Sequence, residues 1–515
     1  MTPFLIITVL VAYFAILIVM SIWTSKNSNS DSFFTGNKQS PWYLVAFGMI
    51  GTSLSGVTFI SVPGKVLTES MAYFQIVLGY VIGYIVIAKV LMPLYYKMNL
   101  ISIYEYLLDR FGIVSYKTGA AFFIISRTLG SAIRLYLATF VLQLFLFEDL
   151  GVPYWATALT TIALIWVYTF KGGVKTIVYT DAFQTIFLIS SVVLCTVVIG
   201  NALDVNLIGL FNKITNTKSL TGQSMTKIFF FEDYKSTLYF PKQFLGGMFL
   251  AITMTGLDQD LMQKNLTCKS IGDAQKNMFS FTTILVFVNF LFLILGGALY
   301  VFANEKGISL PSVDGKVITD HVFPTLALGK FGTIAGIFFL LGITASSYAS
   351  ADSALTALTT GFCIDFLNFS KRDEKQKKRL QLYVHIGFSI LFFLIIMGTQ
   401  IYVDKNPGND LIRVILTIAS YTYGPLLGLF SFGIFTKRKP FEILVPFICV
   451  VSPLICYLIS DNSESWFNGY KFGNELLILN GALTFLGLYL ISLIIKPEIK
   501  IATLFDNSSN SQNHK

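Results

Sequence analysis

Thirteen apolar blocks, most near the roughly 20 residues a helix needs to cross a bilayer, constrain this chain more than any other feature. They run roughly over 3–23, 41–63, 72–96, 119–147, 153–170, 177–200, 243–263, 279–302, 331–368, 381–401, 411–435, 441–460 and 476–495. Apolar and polar residues do not alternate within them, so a β-barrel is excluded. Lipid leaves the backbone no outside partner, so the spans are expected to be helices. Composition agrees: 54% of residues are hydrophobic and 13% charged, against about a quarter charged in soluble domains. The expected fold class is an all-α polytopic membrane protein with about 13 transmembrane helices. The longest connections, near 201–242 and 303–330, are too short for a soluble domain.

The formal charge of +9 reads as a topology signal and not as a nucleic-acid surface. With the N-terminus outside, the inner loops carry about twice as many Lys and Arg as the outer ones. The inner set includes "KGGVK", "KRDEKQKKR" and "KRK". The first block has no basic leader and no small-residue cleavage site, so it reads as a retained span. The C-terminus is then cytoplasmic, and its tail, 496–515, is polar and expected to be disordered. Cys195, Cys268, Cys363, Cys449 and Cys456 lack the spacing of a disulfide framework or a zinc site.

Two spans carry unusual glycine. "VAFGMIGTSLSGVTFISVPG", 45–64, holds Gly48, Gly51 and Gly56 before Pro63-Gly64. "FLGGMFLAITMTGLDQDLMQK", 244–264, holds Gly246, Gly247 and Gly256. A single glycine in a membrane helix is usually a packing contact. Here the two interrupted spans are the second and the seventh, five apart. Each can open a five-helix unit, the second inverted relative to the first. Paired interruptions of this kind point to a solute site, because an unwound helix frees carbonyls for a cation and amides for an anion.

The ninth block ends unusually. Residues 331–368 would form a helix of about 57 Å at about 1.5 Å per residue, well beyond a hydrocarbon core of about 30 Å. Within "SSYASADSALT", Ser346, Ser350 and Ser353 share a face and Ser347 flanks it. Small residues that pack helices and bond back to their own carbonyls would explain any one of them. Adjacent Ser346 and Ser347, facing a broken helix, suggest a cation site instead, since a hard ion takes an oxygen shell. Asp352 is either functional or a half-solvated interfacial residue. Asp181, at the inner end of its span, either pairs with Lys175 or acts as an intramembrane functional carboxylate. Arg127 and Arg134 lie seven apart on one face of the fourth span. Each is either a structural partner or a bidentate clamp for a solute carboxylate.

Five elements together resemble the sodium:solute symporter family. They are "FFTGNKQSPWYLVAFGMIGTSLSGVTFISVPG", "GGVKTIVYTDAFQ", "DQDLMQK", "SSYASADSALTALTT" and "YGPLLGLFSFGIFTKR", between about residue 33 and residue 438. The resemblance implies a LeuT-like fold with a five-plus-five inverted repeat. Repeat one would be 41–200 and repeat two 243–435, within a transport core over 1–435. The span 3–23 would precede the repeats, and two peripheral spans over 436–495 would follow. It implies a sodium ion held by carbonyls of Gly51, Leu54 and Ile343 and by hydroxyls of Ser346 and Ser347. It implies a second sodium in some members, built on the positions of Asp181, Ser346 and Ser350. Ala349 here stands where a further serine would be. Positions at which galactose carriers of the family bond sugar hydroxyls hold Thr58, Val77 and Ala419, so a glucose or galactose carrier is not expected. The candidate solute residues are Ser55, Thr58, Gln75, Arg134, Asn289 and Tyr421.

The expected function is sodium-coupled symport importing a small organic solute: a sugar, sugar acid, carboxylate or amino acid. A sodium-independent uniporter or channel-like carrier is the alternative, separated by whether uptake needs a sodium gradient and concentrates solute. An enzyme is not expected, since His321, His385 and His514 are scattered and form no catalytic spacing. Sodium and the lipid bilayer are the implied partners, with no nucleic acid and no obligate protein partner. A bacterial inner membrane is the expected location.

Overall fold

In the computed structural model, residues 3–26, 30–148, 150–169, 173–367, 369, 372–405 and 411–494 are described. The expected disordered tail lies outside them. Apolar blocks become helices almost throughout. They are α1 (Pro3–Thr24), α2 (Trp42–Ser53), α3 (Gly56–Glu69), α4 (Tyr73–Met98), α5 (Ile113–Leu142), α6 (Tyr154–Thr169) and α7 (Gly173–Ala202). After an amphipathic helix, α8 (Leu207–Asn216), come α9 (Phe240–Ala251), α10 (Gln259–Leu266), α11 (Ile271–Glu305), α12 (Thr319–Gly329) and α13 (Gly332–Leu367). The last four are α14 (Glu374–Lys405), α15 (Leu411–Phe435), α16 (Val445–Asp461) and α17 (Leu476–Ile494).

Among the described residues, ten helices are long and apolar enough to span a membrane, or eleven with the bent pair α2–α3. The expectation of thirteen differs at two places. Helix α6 has 16 residues, short of a full crossing. The span expected over 243–263 is divided between α9 and α10, and neither piece alone is long enough.

Helix α13 is the centre of the molecule. It packs on α2, α3, α5, α6, α7, α12 and α14. Nearly every side chain from Phe339 to Gly361 is buried. That explains its composition: Gly342, Ala345, Ala349, Ala351, Ala354 and Ala357 keep it thin enough to be surrounded. Although the helix is longer than a hydrocarbon core is thick, its serine-rich part does not project into solvent but is enclosed by protein. Asp352 is accordingly fully buried and not half solvated.

Helices α4 and α9 approach closely, backbone to backbone. A β-carbon at Gly247 would overlap the Ile76 carbonyl, and one at Gly79 would overlap that of Phe244. The glycines of the seventh block are therefore partly packing contacts, as well as neighbours of a break. Gly247→Ala is expected to destabilise the protein by about 1–3 kcal/mol, because packed backbone cannot give way. Gly130→Ala, with open space at its β-carbon, should be neutral. Melting temperatures of the two variants in detergent check this.

Candidate functional site

The first interrupted span bends by 62° between α2 and α3. Leu54 leaves helical geometry at φ −90°, ψ 71°, and Ser55 is extended at φ −62°, ψ 170°. Leu54 N–H still reaches the Ile50 carbonyl at 2.8 Å, and the Ser55 carbonyl already accepts from Phe59 N–H at 2.9 Å. Among the described residues, no hydrogen bond is made to the carbonyl of Gly51 or Leu54. Gly51 N–H donates to Thr185 Oγ1 at 3.1 Å.

Helix α13 lies directly against this break. A β-carbon at Gly56 would overlap Ser347 Oγ, so the absence of a side chain there admits the hydroxyl. Ser347 Oγ is buried and has no hydrogen-bond partner. Ser346 Oγ donates back to Ile343 O at 3.0 Å. The fold thus seats Ser347 of α13 against the break that follows Gly51 and Leu54, with Ser346 and Ile343 beside it on the same helix. Free carbonyls and an unsatisfied hydroxyl in a dry interior are costly, and a small cation would satisfy them together.

The second interrupted span is closed differently. A π-turn over Ile252–Gly256 ends α9, and Leu257 and Asp258 are non-helical. Tyr95 Oη donates to Gly256 O and Tyr104 Oη to Leu257 O, each at 2.9 Å. The freed carbonyls therefore have partners. Asp258 caps α10 by accepting from Asp260 N–H at 2.9 Å. Arg127 pairs with Asp260 and lies 3.7 Å from Asp258. Tyr423 donates to Asp258 and Ser353 to Asp260. Gln259 bonds Ile103 N–H at 2.9 Å and Ile101 O at 2.7 Å, while Gln263 reaches Phe34 O at 2.7 Å. The "DQDLMQK" element thus fastens a break that carries no free carbonyl at Gly256 or Leu257. Of the two alternatives for Arg127, the structural partner is realised.

Between the breaks lies a cavity of ≈ 80 Å³. The candidates Ser55, Thr58, Arg134 and Asn289 line it, together with Tyr73, Tyr80, Tyr84, Arg127 and Thr255. The three tyrosines were missed in the sequence, although 73, 80 and 84 fall on one face of α4. Among the described residues, no Asp or Glu lines the cavity. Arg134 makes no ion pair or hydrogen bond among the described residues. Asn289 donates to Leu285 O at 2.8 Å, and its Oδ1 is buried without a partner.

Two candidates stand elsewhere. Gln75 donates to Leu238 O at 3.0 Å and accepts from Phe230 N–H at 3.2 Å, fastening α4 to the 203–239 connection. Tyr421 turns towards Tyr457, with ring centres 6.1 Å apart. Its neighbour Tyr423 faces the interior instead, because residues two apart on a helix point in different directions. Tyr73 and Leu416 also line a second space of ≈ 400 Å³, bordered by Lys65, Glu69 and Arg413. There Glu69 lies 3.6 Å from Lys65 and 3.1 Å from Arg413.

Asp181 is fully buried and pairs with Lys264, not Lys175. Thr52 Oγ1 donates to the same carboxylate oxygen at 2.9 Å, and Lys264 also reaches Thr52. Lys264 closes the "DQDLMQK" element, and its place seven residues after Leu257 gives no hint of a partner on α7. Ser350 Oγ is buried and unpartnered. Asp352 accepts from Tyr168 Oη at 2.8 Å.

Comparison with known proteins follows the same outline. The sodium/sialic acid symporter NanT of Aliivibrio fischeri is 24% identical over 442 residues, covering 83% of this chain and 82% of that one. SiaT of Proteus mirabilis, also a sodium/sialic acid symporter, is 24% identical over 439 residues, covering 84% of each. The solved structure of a Na+-coupled sialic acid symporter in a substrate-bound outward-open state superposes with a TM-score of 0.77 at 20% identity, covering 96% of this chain and 98% of that one. The fold is therefore LeuT-like, and the chain is a sodium-coupled symporter of a small solute. Residues 33–440 match the family model, and the chain belongs to the sodium:solute symporter family.

Proposed function

We propose that this symporter imports a small organic anion, read by Arg134, together with sodium bound at the α2–α3 break. Arg134 carries the anion reading. A guanidinium in a span costs about 2.5–3.5 kcal/mol on insertion scales unless it is paired. Arg127 meets that cost with Asp258 and Asp260. Arg134 lines a cavity with no carboxylate among the described residues, and an arriving carboxylate would supply the missing charge through a bidentate fork. Asn289 Oδ1 and the hydroxyls of Ser55, Thr58, Tyr80 and Tyr84 offer groups for a polyol body. A sugar acid of the sialic acid class has both features and is what the two relatives carry by name.

The sodium would be held by the carbonyls of Gly51, Leu54 and Ile343 and the hydroxyls of Ser346 and Ser347. Bound there, it supplies a positive charge that joins α13 to the two halves of the broken span. Ser55 and Thr58 follow directly in the chain, so whatever orders Leu54 also orders the cavity wall. The charge pattern of the loops places the N-terminus outside, so the cavity would open outward past Glu69 and Arg413. The repeats would be 41–200 and 243–435, each opened by one of the interrupted spans.

Ser347→Ala and Ser346→Ala should each raise the sodium concentration for half-maximal uptake by roughly tenfold, the factor that about 1.4 kcal/mol represents. Expression should be intact, since each change keeps the helix. Unaltered sodium dependence in both variants would remove the site from this junction.

Arg134→Lys should lower solute affinity by roughly ten- to a hundredfold despite its retained charge, because lysine lacks the planar fork. Competition by a panel of neutral sugars, sugar acids, amino acids and monocarboxylates in proteoliposomes checks the class. Robust competition by neutral sugars alone would end the anion reading.

A further inference from the structure

The family resemblance implies a second sodium at Asp181 and Ser350 in some members, and the surroundings of Asp181 do not fit one. We infer that the Lys264 ammonium is the resident counter-ion of Asp181, so that a single sodium accompanies each solute. The inference deepens the sodium site proposed above and takes its location from that reading.

Three observations carry it. Lys264 leaves α10, crosses to α7 and α2, and bonds Asp181 and Thr52 at once. Its side chain is 2% exposed and that of Asp181 is 0% exposed. One of the two carboxylate oxygens, Asp181 Oδ2, already accepts from an ammonium and from Thr52, which donates at 2.9 Å. A metal ion placed there would have to displace or adjoin a fixed positive charge in a dry site, where like charges repel strongly.

The opposite wall is also short of oxygen. The residue of α13 that faces Gly51 beside Asp181 is Ala349, whose methyl would lie 3.6 Å from a β-carbon on Gly51. Thr185 Oγ1, the nearest hydroxyl on α7, donates to Asp181 O at 2.8 Å and accepts from Gly51 N–H. Asp181 Oδ1 and Ser350 Oγ remain unsatisfied, as do Gln184 Oε1 on α7 and Asp352 Oδ1 on α13, so the case against an ion at Asp181 rests on the ammonium already seated there.

The other charged group near this pair is Asp352, also fully buried. Tyr168 Oη donates to its Oδ2 at 2.8 Å, and its Oδ1 is unpartnered. Tyr13, Tyr168 and Gln184 surround it from α1, α6 and α7. A second ion, were one bound, would belong to Asp352 and not to Asp181. That outcome would contradict the single-sodium inference and is included in the test.

The direct measurement counts radiolabelled sodium bound to the purified full-length protein by equilibrium dialysis, without solute. One sodium per chain is expected in the wild type; two overturns the inference. Lys264→Gln removes the ammonium and leaves Asp181 without its counter-ion, so this variant should bind a second sodium. A well-folded Lys264→Gln protein that still binds one would overturn the role of Lys264. If that variant does not fold, the wild-type count still decides the stoichiometry, and Lys264→Arg, which keeps the charge, should still bind one. Ser347→Ala in the same assay separates the two readings: loss of its one sodium supports the site at the break, whatever Lys264 does. Current measured during uptake adds a separate arm. One sodium with a monovalent anion moves no net charge, whereas a current with one bound sodium would leave the Lys264 assignment standing and refute the anion.

Discussion

A break in a helix inside a membrane must find partners for the carbonyls it frees, because lipid offers none. This chain meets that constraint twice and in two ways. At Gly256 and Leu257 tyrosine hydroxyls take the carbonyls, and an arginine with two aspartates fastens the following turn. At Gly51 and Leu54 the carbonyls are left open beside a serine with no partner. One break is finished by the protein itself, and the other is left open for the ion proposed above. Most of what surrounds the cavity follows from that asymmetry, since α13 must lie close enough to present Ser347 and thin enough to be enclosed.

Much of this was legible in the sequence. The long apolar blocks gave the helices, and glycine with following polar residues gave both breaks within a few positions. The serine pair on the ninth block pointed to the junction with the first break. Other features depend on distances across the fold that no local pattern encodes. That the second break is sealed by Tyr95 and Tyr104 requires residues some 150 positions away to arrive at its carbonyls. Gln75 looks like a cavity residue by its place in a span, yet it meets a connection that follows three helices later. The partner of Asp181 was sought in the nearest basic loop and lay on another interrupted span. The burial of Asp352 was misjudged because helix length alone does not say whether protein extends beside it.

Arg127 and Arg134 show how little residue type decides. They share a helix face and a neighbourhood, and each would be costly alone in lipid. Arg127 is held on both sides by carboxylates and serves the scaffold. Two turns further along, Arg134 lines the cavity and makes no ion pair with Asp258 or Asp260 among the described residues. The same guanidinium is structural or available according to which side of the "DQD" turn it meets.

The Glu69–Arg413 pair has its own consequence. Arg413 is largely exposed and Glu69 is partly so, at 3.1 Å. At physiological ionic strength charges are screened over about 8 Å, so an exposed bridge of this kind weakens as salt is added. On the proposal above, sodium chloride acts on this molecule at two places: as a cargo at the break and as an electrolyte at the Glu69–Arg413 pair. A titration that raises sodium without holding total salt constant reports both, and only one of them is coupling.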